Sequence, residues 1–341
     1  MTNDISKFEL FKLPVDASKN VLRSMGIGAL ITFSMCSNST KSVVRSIGLT
    51  PTAVYLNIDQ SVSIGFKFHR QTMKLLTLHA GPLDWNYGMS LIRFDRPLLA
   101  KLEYEKVDWR TIRLDLRGWI KHLLYILNVP KLHYVNFSTY PVQFDYQSIQ
   151  TALDGLHKGL LVIGMFCDQV VPSLIISNFS SMESLVFHRT PDQSVQTLLC
   201  QNFKALLLMH DRLDDFNIKI DDLLVANSKF LFFHSRQSER EANTFLKSWI
   251  NGSNPRLKYI NICFLSQSQF CRNLILKGTD FTVAPEERKL VFEAQGPYDV
   301  ETRMVAVRGG YDIRRKKDGT TATIKMDIYA RHCYLFMYVW P

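Results

Sequence analysis

The chain has 341 residues, 46% of them hydrophobic and 21% charged, with a formal net charge of +10. That balance is expected of a soluble globular chain with one large or two ordinary domains and a substantial core. Apolar runs such as Leu160 to Phe166, with one glycine, are far too short to span a membrane, and Asp4, Lys7 and Glu9 interrupt any signal-peptide core, so an intracellular protein without membrane attachment is expected, in cytoplasm or nucleus. Three short helical patterns fill Phe8 to Gly48. The first opens at Leu13-Pro14, where the missing proline N–H costs nothing, carries Val15, Val21, Leu22 and Met25 as an apolar stripe, and ends at Gly26. The second repeats Ile27, Leu30 and Ile31 and closes at Cys36-Ser37-Asn38. The third, with Ser39 as its candidate cap, turns Val43, Val44 and Ile47 to one side and Lys41 and Arg45 to the other, and Gly48 with Pro51 stops it.

So small a trio buries too little surface to be stable alone, so its apolar face needs a partner, either the rest of the chain or another protein. The Leu13-Pro14 opening, Val21-Leu22, Leu30-Ile31, the Ser34-Met35-Cys36-Ser37 segment and the Val43-Val44 ending, in that order, resemble an F-box. The resemblance implies a domain at residues 8–48 that docks on a small Skp-type adaptor, and through it on a cullin, using Leu13, Pro14, Val15, Val21, Leu22, Leu30 and Ile31. At Gly26-Ile27-Gly28-Ala29 the sequence departs from the family, which commonly has an acidic residue there. Two glycines cost about 1 kcal/mol each if helical, which weakens the expected docking.

From Thr52 to Leu78 the period changes to two, with Val54, Leu56, Ile58, then Val62, Ile64, Phe66, Phe68, then Met73 and Leu75. This predicts two or three antiparallel strands. A helix over Asp115 to Asn128 follows, with Leu116, Ile120, Leu123, Leu124 and Leu127 on one face, and Val129-Pro130 ends it. Residues 52–130 are therefore expected to form a small antiparallel sheet with a linking helix.

Between Leu132 and Cys263 the template apolar-x-x-apolar-x-apolar recurs, centred on Val135, Ile163, Leu185, Leu206, Leu231 and Ile260, at steps of 28, 22, 21, 25 and 29 residues. Those steps bracket the leucine-rich-repeat period. The connecting segments are helical, most clearly after Ser238-Glu239-Arg240-Glu241, a capping box that starts a helix burying Phe245, Leu246, Trp249 and Ile250. The competing architecture is a doubly wound α/β domain. The expected fold is thus mixed α/β: a three-helix F-box, then an irregular leucine-rich-repeat-like strand-helix domain over residues 131–341. The strand positions between template residues would line one surface, with Val162, Val186, Leu207, Phe232 and Tyr259 along it and His188 and His234 just beyond. That surface is either a target-binding groove or core, covered by another element such as the aromatic strand Tyr334 to Trp340.

The segment FLKSWINGSNPRLKYINI resembles the type 2 F-box-associated domain of the large nematode F-box families, and VRGGYDIRRKKDGTTATIKM resembles that domain's C-terminal hairpin. Together the two resemblances imply a substrate-recognition subunit of a Skp-cullin-F-box ubiquitin ligase that holds an unidentified target protein and catalyses nothing itself. The alternative is a ligase-independent repeat module for an acidic partner or nucleic acid. Against nucleic acid, Lys and Arg are spread along the chain except in Arg314-Arg315-Lys316-Lys317, which sits beside the turn signal Asp318-Gly319 and is expected to be a solvated hairpin tip.

Six scattered cysteines form no CxxC and have no histidine at ligand spacing, so reduced thiols are expected and no metal or cofactor is called for. Four N-x-S/T sequons, at Asn38, Asn136, Asn178 and Asn251, are coincidences of composition in an intracellular chain. There is no GxSxG, HExxH or P-loop. Asp214-Asp215 and Asp221-Asp222 flank helix starts, where carboxylates are favoured, and His188, His210 and His234 are expected to be structural.

Overall fold

The structure, a computed structural model, describes residues 10–59, 61–68, 71–80, 93–102, 107–137, 145–164, 182–188, 195–208, 219–235, 239–265, 271–296, 302–329 and 332–341. Met165, Phe166, Cys167, Asn178, His210, Asp214, Asp215 and Ser238, and the side chain of His234, lie outside them. The chain divides into two compact units, Met1–Leu132 with Val142–His157, and His133–Pro141 with Lys158–Pro341.

In the first unit a short 3-10 turn, Leu10–Lys12, leads into α1 (Val15–Arg23), α2 (Ile27–Ser34) and α3 (Asn38–Ser46). Gly26 is the N-cap of α2, a position that tolerates glycine, so only Gly28 lies within the helix and the expected two-glycine penalty does not arise. Ser37, not Ser39, caps α3. Its Oγ accepts from the Thr40 N–H at 3.1 Å while Thr40 Oγ1 accepts from the Ser37 N–H at 2.9 Å, and this reciprocal pair fixes the helix start at Asn38.

The five strands β1 (Ala53–Ile58), β2 (Val62–Phe68), β3 (Gln71–Ala80), β4 (Leu98–Leu102) and β5 (Val107–Leu114) form an antiparallel meander in chain order. Tyr55 pairs with Gly65 across β1 and β2, and a Cβ at Gly65 would meet the tyrosine ring at 2.0 Å, so glycine lets the ring lie across its neighbour. Helix α4 (Leu116–Ile126) begins where Asp115 accepts from the Gly118 N–H at 2.6 Å, and it buries Leu116, Trp119, Ile120, Leu123 and Leu124, the apolar stripe its sequence carries. Helix α5 (Tyr146–Leu153) completes the unit.

The second unit starts with β6 (Leu132–Phe137) and continues through β7 (Lys158–Ile163), β8 (Met182–Phe187), β9 (Ala205–Leu208), β10 (Phe230–Ser235) and β11 (Tyr259–Leu265). These strands stand side by side in chain order and run parallel from β7 to β11. A doubly wound domain reverses its strand order at a switch point. Here the order never reverses, which is the stacking of a repeat. The helices α6 (Val195–Leu199), α7 (Ile220–Leu224) and α8 (Glu239–Ile250) lie between successive strands. Both faces of the parallel strands are apolar, as burial on both sides requires. Leu161, Ile163, Leu185, Phe187, Leu206, Leu208, Leu231, Phe233, Ile260 and Ile262 fill one face; Leu160, Val186, Leu207, Phe230 and Phe232 fill the other.

After the four-residue helix α9 (Arg272–Ile275) come four long antiparallel strands, β12 (Phe281–Gln295), β13 (Thr302–Arg314), β14 (Thr321–Tyr329) and β15 (His332–Val339). The aromatic strand β15 closes them onto β11, antiparallel to it, from Tyr259↔Tyr338 to Leu265↔His332.

Candidate functional site

The seven residues expected to meet an adaptor divide into two sets. Leu22, Leu30 and Ile31 are at most 2% exposed and form the interior of the helical trio with Val44 and Ile47. Leu13 is half-buried, whereas Pro14, Val15 and Val21 face outward. Val15 is 69% exposed, and Phe11 at 62% extends the apolar surface, which Met25 also borders. Phe11, which the sequence reading passed over, is held with its ring centroid 6.2 Å from that of Phe33.

The trio is anchored from behind by polar contacts that cross to β5 and α4. Trp109 donates its indole N–H to Thr32 Oγ1 at 2.8 Å, and Ser34 Oγ lies 2.8 Å from His122 Nε2. Burial, with a smaller contribution from the nearby Lys41 charge, pushes the His122 pKa down from 6.5 to about 4, so the imidazole is neutral in the folded protein. On α3, Lys41 and Arg45 lie over the Tyr125 ring at 4.8 and 4.4 Å, and Arg45 donates to Asn128 Oδ1 at 3.2 Å. α3 is thus committed to α4, and the surface left open belongs to the 3-10 turn and α1.

The outward face of the parallel strands is different: it is covered. Phe292 and Ala294 of β12 and Val307 of β13 join Leu160, Val186, Ala205, Leu207, Phe230, Phe232 and Tyr259 in one buried cluster. Tyr259 sits at its centre, with ring centroids 5.4 Å from Phe232, 6.0 Å from Phe292 and 5.2 Å from Tyr338. Burial drives the Tyr259 pKa far up, and the neighbouring Tyr338 adds to it. Val186, Leu207, Phe232 and Tyr259 are therefore core and not an open target groove, while Val162 and His188 are half-buried. The cover is the hairpin β12–β13; the aromatic strand Tyr334 to Trp340, which the sequence offers as a cover, instead lies beside β11 in the same sheet and extends the covered face with Phe336, Tyr338 and Trp340.

The hairpin reaches that face because it bends. β13 pairs with β14 only from Tyr311 to Arg314, and beyond Gly309 and Gly310, at φ +56° and +101°, it leaves β14 with β12 alongside. A Cβ at Gly310 would lie 2.7 Å from the Ile324 carbonyl oxygen, so both the backbone angle and the close approach require glycine. Opposite the bend the register slips between Ala284 and Lys289, and Arg288 in the bulge pairs with Asp312 through both carboxylate oxygens. Thr323 donates to Asp312 Oδ1 at 2.6 Å, and Trp340 donates its indole N–H to Thr323 Oγ1 at 2.8 Å. Burial alone would raise the Asp312 pKa, but the Arg288 and Thr323 hydrogen bonds outweigh it and hold the carboxyl below its ordinary value.

The basic run is the hairpin turn between β13 and β14, with Arg314, Lys316 and Lys317 exposed as expected, but it is not wholly solvated. Arg315 is 4% exposed, its guanidinium 4.8 Å above the Trp249 ring, and the Lys316 N–H donates to the Ile250 carbonyl at 2.8 Å. The turn between β13 and β14 therefore docks on the end of α8, which removes one of the four charges from any nucleic-acid face. Among the described residues no three His, Cys, Asp or Glu side chains gather as a metal site would need, and no helix is long and apolar enough to cross a membrane.

Residues 10–52 match the family model of the F-box domain, and residues 194–262 match that of the F-box associated family. The chain carries an F-box domain and an F-box associated region. Neither a curated protein nor a solved structure matches it. The F-box span takes in the 3-10 turn and α1 to α3, including the exposed Phe11, Val15 and Val21. The F-box associated span runs from α6 into β11 and supplies Ala205, Leu207, Phe230, Phe232 and Tyr259 to the covered face, whereas the covering Phe292, Ala294 and Val307 lie outside it. Of the two segments that resemble this family, 245–262 forms the end of the match, whereas 307–326 lies outside it.

Proposed function

We propose that the protein is the substrate-recognition subunit of a Skp-cullin-F-box ubiquitin ligase, working in the cytoplasm or nucleus and doing no chemistry of its own. What supports the reading is one observation: within the F-box match, the outward side of α1 and the turn before it presents Phe11, Pro14, Val15, Val21 and Met25 to solvent. Large side chains of this kind left open on so small a domain mark an interaction site. A Skp-type adaptor would cover them, while Leu22, Leu30 and Ile31 hold the trio in shape from inside.

The region of the F-box associated match would then carry the target. Its outward strand face is occupied by the hairpin, so a target would be held by other surfaces of the second unit. Capture of purified Skp-type adaptor by the full chain tests the proposal: binding is expected, and no detectable binding at micromolar concentrations of both proteins would remove it.

A further inference from the structure

β12 is the last strand of its sheet, and among the described residues nothing pairs with its outer edge between Lys289 and Ala294. Edge strands are normally blunted by proline, a bulge or an awkward charge. The first half of β12 follows that rule, with Pro285 inside the register shift between Ala284 and Lys289. The second half does not. It pairs regularly with β13 from Lys289↔Arg308 to Gln295↔Thr302, buries Phe292 and Ala294 on one side, and leaves Val291 55% exposed on the other, between the exposed Lys289 and Glu293.

We infer that this edge is the seam of a homodimer, in which residues 289–293 of two copies pair antiparallel about a twofold axis through Val291. The segment reads Lys-Leu-Val-Phe-Glu, which is complementary to its own reverse. Antiparallel pairing centred on Val291 sets Lys289 against Glu293 of the partner subunit, and Glu293 against Lys289 of the partner subunit. Val291 meets its own copy on the outer side, and Leu290 meets Phe292 of the partner subunit on the inner side. Cross-strand pairs of opposite charge and of apolar side chains are the units that stabilise such a ladder.

A slip of two residues in either direction breaks both charge pairs, and a slip of one sets outer residues against inner ones, so the register is specified. A twofold axis through a residue is compatible with either phase of an antiparallel ladder. The interface is isologous and closes at two copies, as a soluble dimer requires. Glu293 accepts from Thr302 Oγ1 at 2.9 Å, which leaves its second oxygen free for the incoming lysine. Exposed Met304 and Ala306 on β13 continue the apolar strip beside Val291. A dimer would join two target-binding units in one particle, raising avidity for targets with two sites.

Sedimentation velocity of the full chain across a concentration series reads the outcome directly. Lys289→Glu and Glu293→Lys each turn two attractions into two repulsions at exposed positions, and each is expected to raise the dimer dissociation constant at least about tenfold. The double variant K289E/E293K restores both pairs and should dimerise like the wild type, as should an equimolar mixture of the two single variants. A wild type that stays monomeric at about 100 μM, or single variants that dimerise as well as it does, would overturn the inference. Adaptor capture is expected to be unchanged in all four proteins, so failure of the dimer and failure of the F-box proposal are read separately.

Discussion

Two apolar surfaces of this protein look alike in sequence and end differently. The turn, α1 and the link after it carry Phe11, Val15, Val21 and Met25, and these stay open; the outward face of the parallel strands carries Val186, Leu207, Phe232 and Tyr259, and these are closed over by Phe292, Ala294 and Val307. An apolar stripe says only that something must cover it. What covers it is decided by the rest of the chain, here by a hairpin that two glycines and a bulge fold back across the sheet.

That contrast can be broken at its closed side with the largest effect. Replacing Phe232 and Leu207 with serine should cost about 3–5 kcal/mol per site, enough to lower the melting temperature by many degrees or abolish the fold of the second unit, read by thermal denaturation. At the open side the signs reverse. Val15→Asp with Val21→Asp should leave melting nearly unchanged, since surface substitutions typically stay within about 0.5 kcal/mol. The same pair should weaken adaptor binding by at least about thirtyfold, the loss of about 2 kcal/mol expected for a central interface anchor, read by titration calorimetry.

The buckle of the hairpin gives a smaller effect. Asp312→Ala strands the half-buried Arg288 and the Thr323 hydroxyl, and should cost about 1–3 kcal/mol in chemical denaturation. Because the Asp312 pKa is held down in the folded state, its contribution is present above the ordinary carboxylate value and is lost as the pH falls through the folded one.

His122 sharpens the comparison by pH. Its folded pKa is near 4 against 6.5 unfolded, so the unfolded chain takes up the proton first, and stability of the first unit should fall as the pH drops from 6.5 toward 4. His122→Gln keeps a hydrogen-bonding group for Ser34 and should flatten the slope in that window, read by melting at a series of pH values.

Much of this fold was legible because local pattern and tertiary outcome agree. The stripe Leu116, Ile120, Leu123, Leu124, Leu127 predicts α4, and the template centres from Val135 to Ile260 fall on β6 to β11. Single caps were less legible: Ser37 and Ser39 are equally good in isolation, and only Thr40, three positions after Ser37, decides between them. Least legible was the cover. β12 carries Pro285 and the run Glu286 to Lys289 in its middle, which reads as a loop, and its bulge is a tertiary arrangement held by Arg288 and Asp312 across the strands. The candidate adaptor surface was half legible for a similar reason. The motif picks out Leu13, Pro14, Val15, Val21, Leu22, Leu30 and Ile31 together, but which side of the trio is turned inward also depends on Trp109 and His122, 77 and 88 residues later in the chain than the Thr32 and Ser34 they contact.

The central claim, that one apolar face is open for a partner while the other is the protein's own core, is tested most directly by amide hydrogen exchange of the full chain with and without a purified Skp-type adaptor. The expected result is new protection confined to residues 10–48, with β7 to β11 already slow to exchange in the free protein and unchanged on binding. Fast exchange across β7 to β11 in the free chain, or adaptor-induced protection there with none over residues 10–25, would contradict it.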